Sequence, residues 1–366
     1  MANIASIYMF NKEFLETVAN QLVAEGKGIL AADESLGTIG KRFDMINLEN
    51  NHSNRLAYRK LLFATEGLGQ FVSGVITFDE TIREQDESGR YLVQDLIDAG
   101  MLVGIKVDQG LEPLSADSEE TVMKSVAELD VNLKQYKQIG ASFSKFRAVV
   151  KIDAANGLPT VDAYKKNAQR LAEFALACQQ NEIVPIVEPE VLMDGDHDLQ
   201  TSMEVTRQFL LYTFDALSDL GVHLPGILIK TNFVRCGAAN SESECANPHD
   251  IAKATLEVLY EVFPREIPGV VFLSGGMSEL QATGALNAIN IEDLRKNTKL
   301  SFSYGRALQA SCLKAWQGKQ ENVDAAQKAL FYRAQLNHLA CLGKYAPVME
   351  ENLSASDDLF ESDYRY

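Results

Sequence analysis

The chain has 366 residues, of which 46% are hydrophobic and 23% charged, a composition typical of globular proteins with a large apolar core. Its formal net charge of −17 argues against nucleic acid or an anionic membrane as a main partner, although a locally positive pocket can still hold a small phosphorylated ligand. Its five cysteines show no C-x-x-C spacing, and we find neither a leader-like segment nor an apolar run of membrane length. We therefore expect a reduced, cytoplasmic protein.

Eight short apolar runs alternate with amphipathic, helix-like stretches along the chain. In chain order the strand-like runs cover 28–33, 71–78, 102–108, 143–150, 183–190, 226–232, 270–276 and 300–305. The helix-like stretches cover 1–25, a region from about 41, then 54–65, 92–99, 118–139, 160–180, 199–220, 248–262 and a region from 306 onward.

This alternation predicts an α/β fold, a (β/α)8 TIM barrel that forms a single domain over residues 1–366. An open doubly wound sheet is the alternative, but no G-x-G-x-x-G motif follows the first strand-like run. The last residues, 354–366, are polar, acidic and aromatic, and we predict that they form a mobile C-terminal tail.

Most polar residues of the strand-like runs stand at their C-terminal ends, which form one mouth of a parallel barrel and are the usual place of catalysis in this fold. These residues are Asp33, Lys106, Asp108, Lys145, Arg147, Glu188, Glu190, Lys230 and Ser274. Several are spaced i, i+2, so both members of a pair point to the same side of their strand. Any one of them could be a solvated strand-end charge. Together they predict a site, because charges that face a core are costly unless they are paired or used.

The lysine in the run Gly226-Ile-Leu-Ile-Lys230-Thr-Asn232 is the candidate nucleophile. An isolated lysine of this kind would more often reach solvent, but a buried amine can lose its proton and attack a carbonyl. We expect Lys145 to lower the pKa of Lys230 by like-charge repulsion and Glu188 to transfer protons as a carbinolamine forms and loses water. Asp33 would accept a hydroxyl proton when a carbon–carbon bond breaks.

Two groups of residues are candidate anion sites. Ser274-Gly275-Gly276 and Ser303-Tyr-Gly305-Arg306 follow the last two strands, the usual phosphate position in such barrels, although Gly-Gly alone is more often a tight turn. A second site on the opposite side could use Ser35, Thr38, Lys106 and Arg147. Arg42, beside Lys41, is either a substrate contact or part of a basic helix start. The five histidines lack H-x-H and H-E-x-x-H spacing, so we predict no metal and no cofactor.

Six runs of sequence resemble the class I fructose-1,6-bisphosphate aldolases, and the likeness extends from about residue 20 to Tyr366. The runs cover 26–35, 104–108, 183–190, 194–199, 273–276 and 302–309. The resemblance implies metal-independent, reversible cleavage of fructose 1,6-bisphosphate to dihydroxyacetone phosphate and glyceraldehyde 3-phosphate through a Schiff base, in glycolysis and gluconeogenesis. It also implies a homotetramer.

The resemblance assigns roles residue by residue. It implies a Schiff base on Lys230, acid–base catalysis by Glu188, and support from Asp33, Lys145 and Glu190. The ketose-end phosphate would lie on Ser274, Gly275, Gly305 and Arg306 with Ser303 nearby, and the far phosphate on Ser35, Thr38, Lys106 and Arg42. Tyr366 corresponds to the terminal tyrosine of the family, which would enter the site during proton transfer to the dihydroxyacetone carbanion.

The chain departs from the family pattern at Phe146, where tryptophan is expected, at Thr231, where proline is common, and at Asp79, where histidine is usual. None of these positions carries a catalytic group. Two alternatives remain open at this point. One is another Schiff-base barrel, such as a transaldolase-like or single-phosphate aldolase, and the other is an interaction protein that has kept the fold.

Overall fold

The computed structural model describes residues 10–125, 128–240, 247–350 and 359–362. Its strands are β1 Gly28–Ala32, β2 Val72–Thr77, β3 Leu102–Lys106, β4 Leu111–Pro113, β5 Thr121–Met123, β6 Ala141–Val150, β7 Val184–Val191, β8 Leu228–Thr231, β9 Gly269–Phe272 and β10 Lys299–Tyr304. Its helices are α1 Lys12–Leu22, α2 Leu36–Asp44, α3 His52–Phe63, α4 Asp79–Arg83, α5 Gln94–Asp98, α6 Leu129–Ile139, α7 Val161–Gln180, α8 Leu199–Asp219, α9 Pro248–Val262, α10 Glu279–Glu292, α11 Arg306–Trp316 and α12 Val323–Cys341.

Eight of these strands close into a parallel barrel in the order β1-β2-β3-β6-β7-β8-β9-β10. The barrel closes where β10 pairs with β1, with Ile29 opposite Ser303. All eight strand-like runs of the sequence contribute a barrel strand, so the predicted TIM-barrel fold is confirmed. The remaining strands, β4 and β5, form a small antiparallel hairpin between β3 and β6.

The barrel has two apolar layers because strand side chains alternate. Ile227 and Ile229 face the surrounding helices and belong to the larger outer core. Leu228 faces inward, where it packs with Val271 of β9 and other interior side chains. Four residues of α1 join the same interior cluster and close the N-terminal end of the barrel, at the end opposite the catalytic mouth: Leu15, Val18, Ala19 and Leu22.

Several predicted helix boundaries differ from the structure, and not every helix was predicted. The α2 helix begins at Leu36 and not near residue 41, because the Ser35 hydroxyl caps it and accepts a hydrogen bond from the Thr38 N–H. The stretch 118–139 is helical only from Leu129 onward, and its first part contributes strand β5. Helix α10 was not predicted, since its apolar residues lie on all sides and give no amphipathic stripe.

The cysteines differ in state. Cys178, Cys312 and Cys341 have free thiols, Cys236 is disulfide-bonded, and Cys245 lies outside the described residues. The expectation of a fully reduced chain is therefore wrong at Cys236. It rested on spacing along the sequence, whereas disulfide formation depends on how closely the fold brings two backbones together. In the described part of the chain, no helix combines the length and apolar character that crossing a membrane requires.

Close packing inside the barrel predicts that a larger side chain at Gly104 lowers the stability of the fold. The Phe143 ring fills the space above this glycine, and a Cβ atom there would lie 2.3 Å from the ring. We expect Gly104→Ala to lower the free energy of unfolding by about 1–3 kcal/mol through overpacking, measured by urea denaturation. Gly284→Ala in α10 is the matched control, since its Cβ would meet only Pro248 at 3.5 Å. Equal stability of the two variants would contradict this account.

Candidate active site

Three lysines and three carboxylates form a buried cluster at the C-terminal mouth of the barrel. Lys145 is fully buried and its Nζ lies 3.0 Å from Asp33, 3.2 Å from Glu188 and 3.5 Å from Asp108. Glu188 uses its second oxygen for Lys230, at 3.0 Å. The Nζ of the third lysine, Lys106, lies 2.7 Å from Asp108. The cluster is thus balanced in charge, as burial of six ionisable groups requires.

The lysines keep two of these carboxyl groups ionised. Burial alone would raise the pKa of Asp33, but the neighbouring Lys145, Lys230 and Lys106 lower it to about 2. Burial likewise opposes ionisation of Asp108, and Lys106 and Lys145 hold its pKa below the ordinary value. Both groups are therefore carboxylates at neutral pH, and Asp33 is in the form that can accept a proton.

Glu188 is the group that connects the two central lysines. Each of its oxygens lies within hydrogen-bonding distance of a different lysine amine, Lys145 on one side and Lys230 on the other. Its side chain is only 2% exposed. A carboxyl group held this way can give a proton to, or take one from, an atom bonded to the Lys230 nitrogen.

Arg147 and Glu190 form a second buried ion pair on the same side of strands β6 and β7. The Arg147 Nε lies 2.5 Å from a Glu190 oxygen. The register of the two strands places Arg147 opposite Glu188 and Val149 opposite Glu190, so the pair borders the lysine cluster. Arg147 and Glu190 thus lie beside the cluster, and the pair adds no net charge to it.

The departures from the family pattern are accommodated locally. The Thr231 hydroxyl points away from the Lys230 side and donates to the Pro189 carbonyl at 3.1 Å. The Phe146 ring stacks on Phe174, with 4.6 Å between centroids. Asp79 accepts hydrogen bonds from Arg83 at 2.6 Å and from the Tyr136 hydroxyl at 2.7 Å.

Ser35, Thr38 and Lys106 lie at one side of the mouth. Ser35 caps α2, and its hydroxyl is 3.0 Å from that of Thr38 in the first turn of the helix. Ser35 and Lys106 line a common cavity of about 430 Å³. Hydroxyl groups, a helix N-terminus and a lysine together suit a phosphate group.

The loops after β9 and β10 form the other candidate anion site. Gly275 and Gly276 both have positive φ, +53° and +82°, which explains why glycine occupies both positions. Gly305 precedes α11, and no side chain of the described residues caps this helix, whose N-terminus is a favourable place for an anion. Ser303 is 1% exposed, and its hydroxyl has no hydrogen-bond partner among the described residues.

A short C-terminal segment, 359–362, lies against these loops. The Arg306 guanidinium donates to the Leu359 carbonyl, and Phe360 covers Gly276. Glu361 pairs with Lys41 at 2.5 Å. The remaining residues of the predicted tail, including Tyr366, lie outside the described residues, so the mobility of the tail stays a prediction.

Arg42 lies in the last turn of α2, and its side chain extends toward Gly305 at the end of β10. Its guanidinium donates to Glu34 and lies 3.7 Å from where a Cβ of Gly305 would stand. The sequence assignment of Arg42 to the far phosphate, together with Ser35, stays a prediction.

Three members of this region were assigned no role from the sequence. Asp108 was visible in the i, i+2 pair Lys106-Val-Asp108, and its contacts with two lysines make it part of the cluster. Glu34 and Arg59 were not recognised, since one follows a strand and the other lies within a helix more than twenty residues later. No periodicity of sequence links two such positions.

A closed parallel barrel with a cluster of ionisable groups at its C-terminal mouth has the arrangement of a barrel enzyme. The family model for fructose-bisphosphate aldolase class-I matches residues 14–366. The chain therefore belongs to the class I fructose-bisphosphate aldolase family.

Individual relatives agree with this assignment. Fructose-bisphosphate aldolase B of Gallus gallus is 46% identical over 97% of both chains. The cytosolic fructose-bisphosphate aldolase 4 of Arabidopsis thaliana is 48% identical over 96% of this chain and 89% of its own. The fructose-bisphosphate aldolase from Plasmodium falciparum, solved in complex with TRAP and a small-molecule inhibitor, superposes with a TM-score of 0.89. It is 46% identical, and the match covers 92% of this chain and 96% of that one.

The lowered pKa of Asp33 predicts that the free energy of unfolding decreases in acid. Because its pKa falls from 3.8 in the unfolded chain to about 2 in the folded one, the unfolded state binds more protons between these values. The carboxylate therefore stabilises the fold above pH 4, and that contribution is lost as the pH falls toward 2. We expect the unfolding free energy of Asp33→Asn to fall less steeply over this window, by on the order of 2 kcal/mol in total.

Urea denaturation at several pH values measures this slope. Asp215→Asn on the exposed side of α8 is the matched control and should follow the parent chain. A parallel pH dependence for Asp33→Asn and the parent chain would contradict the assigned role of the lysines.

Proposed function

We propose that this chain catalyses the reversible cleavage of fructose 1,6-bisphosphate to dihydroxyacetone phosphate and glyceraldehyde 3-phosphate, without a metal. The observation that carries the proposal is the position of Glu188, whose two oxygens contact the amines of Lys145 and Lys230 in a buried site. This is the arrangement that an amine nucleophile and its proton-transfer partner need.

The reaction begins with attack of the Lys230 nitrogen on C2 of the ketose, which forms a carbinolamine. Glu188 first takes a proton from the Lys230 ammonium group, which frees the nitrogen lone pair for this attack. As the carbinolamine forms, a second nitrogen proton passes to the former carbonyl oxygen. Glu188 then returns its proton to that oxygen, which leaves as water while the nitrogen lone pair forms the C=N bond of an iminium ion. The positive iminium then accepts electrons from the adjacent carbon–carbon bond.

Cleavage of the bond between C3 and C4 requires a base for the C4 hydroxyl. Asp33 is an ionised carboxylate on the same side of the mouth, held 3.0 Å from Lys145. It takes the hydroxyl proton as C4 becomes the aldehyde of glyceraldehyde 3-phosphate, and the bonding electrons pass to C3 and the iminium as an enamine. Protonation at C3 and hydrolysis of the iminium release dihydroxyacetone phosphate and restore Lys230.

The two anion sites favour a bisphosphate over a substrate with one phosphate. Ser274, Gly275, Gly305 and Arg306, with Ser303 and Gly276 nearby, would hold the ketose-end phosphate, and Ser35, Thr38, Lys106 and Arg42 the far one. Arg147 and Glu190 would border the sugar between them. The chain is further proposed to act in glycolysis and gluconeogenesis as a cytoplasmic homotetramer, as the family resemblance implies. A sedimentation mass of a single chain would contradict the tetramer.

Trapping with borohydride tests the nucleophile. In the presence of dihydroxyacetone phosphate, reduction should fix one substrate on the chain, and peptide mass mapping should find it on Lys230. Lys230→Met should abolish trapping, whereas Lys151→Met, which replaces a solvent-exposed lysine just beyond β6, should leave it intact. EDTA should not change the rate of cleavage. An adduct on another lysine, or loss of activity with chelator, would refute the mechanism.

The terminal tyrosine provides a separate test of proton transfer to C3. We expect Tyr366→Phe to lower kcat for fructose 1,6-bisphosphate by on the order of tenfold to a hundredfold, with little rise in KM, because general acid–base catalysis acts on the transition state. Tyr364→Phe is the matched control two residues earlier in the chain. Equal kcat values for the two variants would show that Tyr366 takes no part in turnover.

A further inference from the structure

A second group of buried charges lies beside the mouth, around Glu34, the residue that follows Asp33. Glu34 is 3% exposed and points away from the lysine cluster, toward α2, α3 and α11. One of its oxygens accepts from Arg42 and from Gln309, the latter at 3.0 Å, and the other lies 2.7 Å from an Arg59 nitrogen. The carboxylate is thus shared between two arginines.

Glu34, Arg42 and Arg59 differ in charge and in exposure to solvent. Burial alone would raise the pKa of Glu34, but Arg42 and Arg59 lower it, so the group is ionised at neutral pH. One negative and two positive charges leave a net charge of +1. Arg59 is buried at 4% exposure, whereas the Arg42 side chain keeps 12% of its surface exposed, beside Gly305. Of the two arginines, Arg42 is therefore the one that lies nearer the mouth.

The side chains around Arg59 and Glu34 pack closely. Tyr58, the neighbour of Arg59 on α3, stacks on Trp316 at 5.2 Å and meets the edge of Phe43 at 5.9 Å. The Tyr58 hydroxyl donates to Gln309, which in turn donates to the Ala31 carbonyl and to Glu34. Helices α2, α3 and α11 and strand β1 are thereby connected through one carboxylate.

From this geometry we propose that Glu34 and Arg59 are positioning residues for phosphate binding. Glu34 holds the Arg42 guanidinium at the mouth, and Arg59 neutralises Glu34 so that Arg42 keeps its attraction for a phosphate dianion. Without Arg59, Glu34 and Arg42 form a balanced pair, and the local field no longer favours an anion. The proposal deepens the proposed function, since it explains how one arginine of that site is held.

A double-mutant cycle tests whether Arg59 acts through Arg42. The variants are Arg59→Met, Arg42→Met and the double variant, with inorganic phosphate as a competitive probe and fructose 1,6-bisphosphate as substrate. We expect Arg59→Met to raise both the Ki for phosphate and the KM roughly tenfold, which corresponds to the free energy of about one hydrogen bond to a charged group. The kcat should stay within about twofold of the parent value. The double variant should be no weaker than Arg42→Met alone.

Two further variants separate positioning from simple stabilisation. Arg59→Lys keeps the charge and should recover most of the phosphate affinity. Arg55→Met is the matched control, since Arg55 lies one turn earlier on α3 and pairs with Glu80 at 2.6 Å, outside this group. It should lower the melting temperature without changing the Ki. If Arg59→Met does not fold, Glu34→Gln replaces it in the cycle. This substitution keeps both arginine charges and removes the carboxylate that holds Arg42, so a Ki that rises without adding to the effect of Arg42→Met reports loss of positioning and not of charge.

Additive losses in the cycle, or a Ki unchanged in both Arg59→Met and Glu34→Gln, would overturn the proposal. Borohydride trapping on Lys230 in the parent chain is measured alongside. Normal trapping with an unchanged Ki would refute only the positioning role, whereas absence of trapping in the parent would refute the proposed function itself.

Discussion

The site depends on one constraint, which is that six ionisable groups are buried together and must balance in charge. A lone lysine at the position of Lys230 would pay a large desolvation cost. Three carboxylates offset three lysines within a few ångströms, and Lys145, with no exposed surface, contacts every one of the carboxylates. Removing any single member leaves an uncompensated charge, so the cluster has to be retained as a whole.

The barrel supplies that cluster through the parallel register of its strands. Side chains two residues apart on a strand face the same side, and adjacent strands place their C-terminal ends at one rim. Thus Lys145 and Arg147 on β6 meet Glu188 and Glu190 on β7. Large apolar side chains such as Phe143 fill the interior below, so the charges can extend only toward the mouth.

The sequence was sufficient to predict the barrel and the convergence of Lys106, Lys145, Glu188 and Lys230, because period-two alternation and strand-end charges are local patterns. It was not sufficient for α10, whose apolar residues lie on all sides and form no helical stripe, or for the disulfide at Cys236. The contact of Glu34 with Arg59 was also invisible. Such contacts depend on which helices pack together, and a single sequence carries no signal for that choice.

The interior of the site and the rim of the barrel differ in their electrostatic character. The inner cluster and the Arg147–Glu190 pair are each neutral, so neither draws a phosphate group into the core. At the rim, the first turns of α2 and α11 favour an anion, and Glu34 holds the Arg42 guanidinium beside them. On a chain with a net charge of −17, long-range attraction cannot bring in an anionic substrate. The proposed affinity for phosphate therefore depends on the geometry of the rim, and the proposed role of Lys230 depends on the charged cluster that surrounds it.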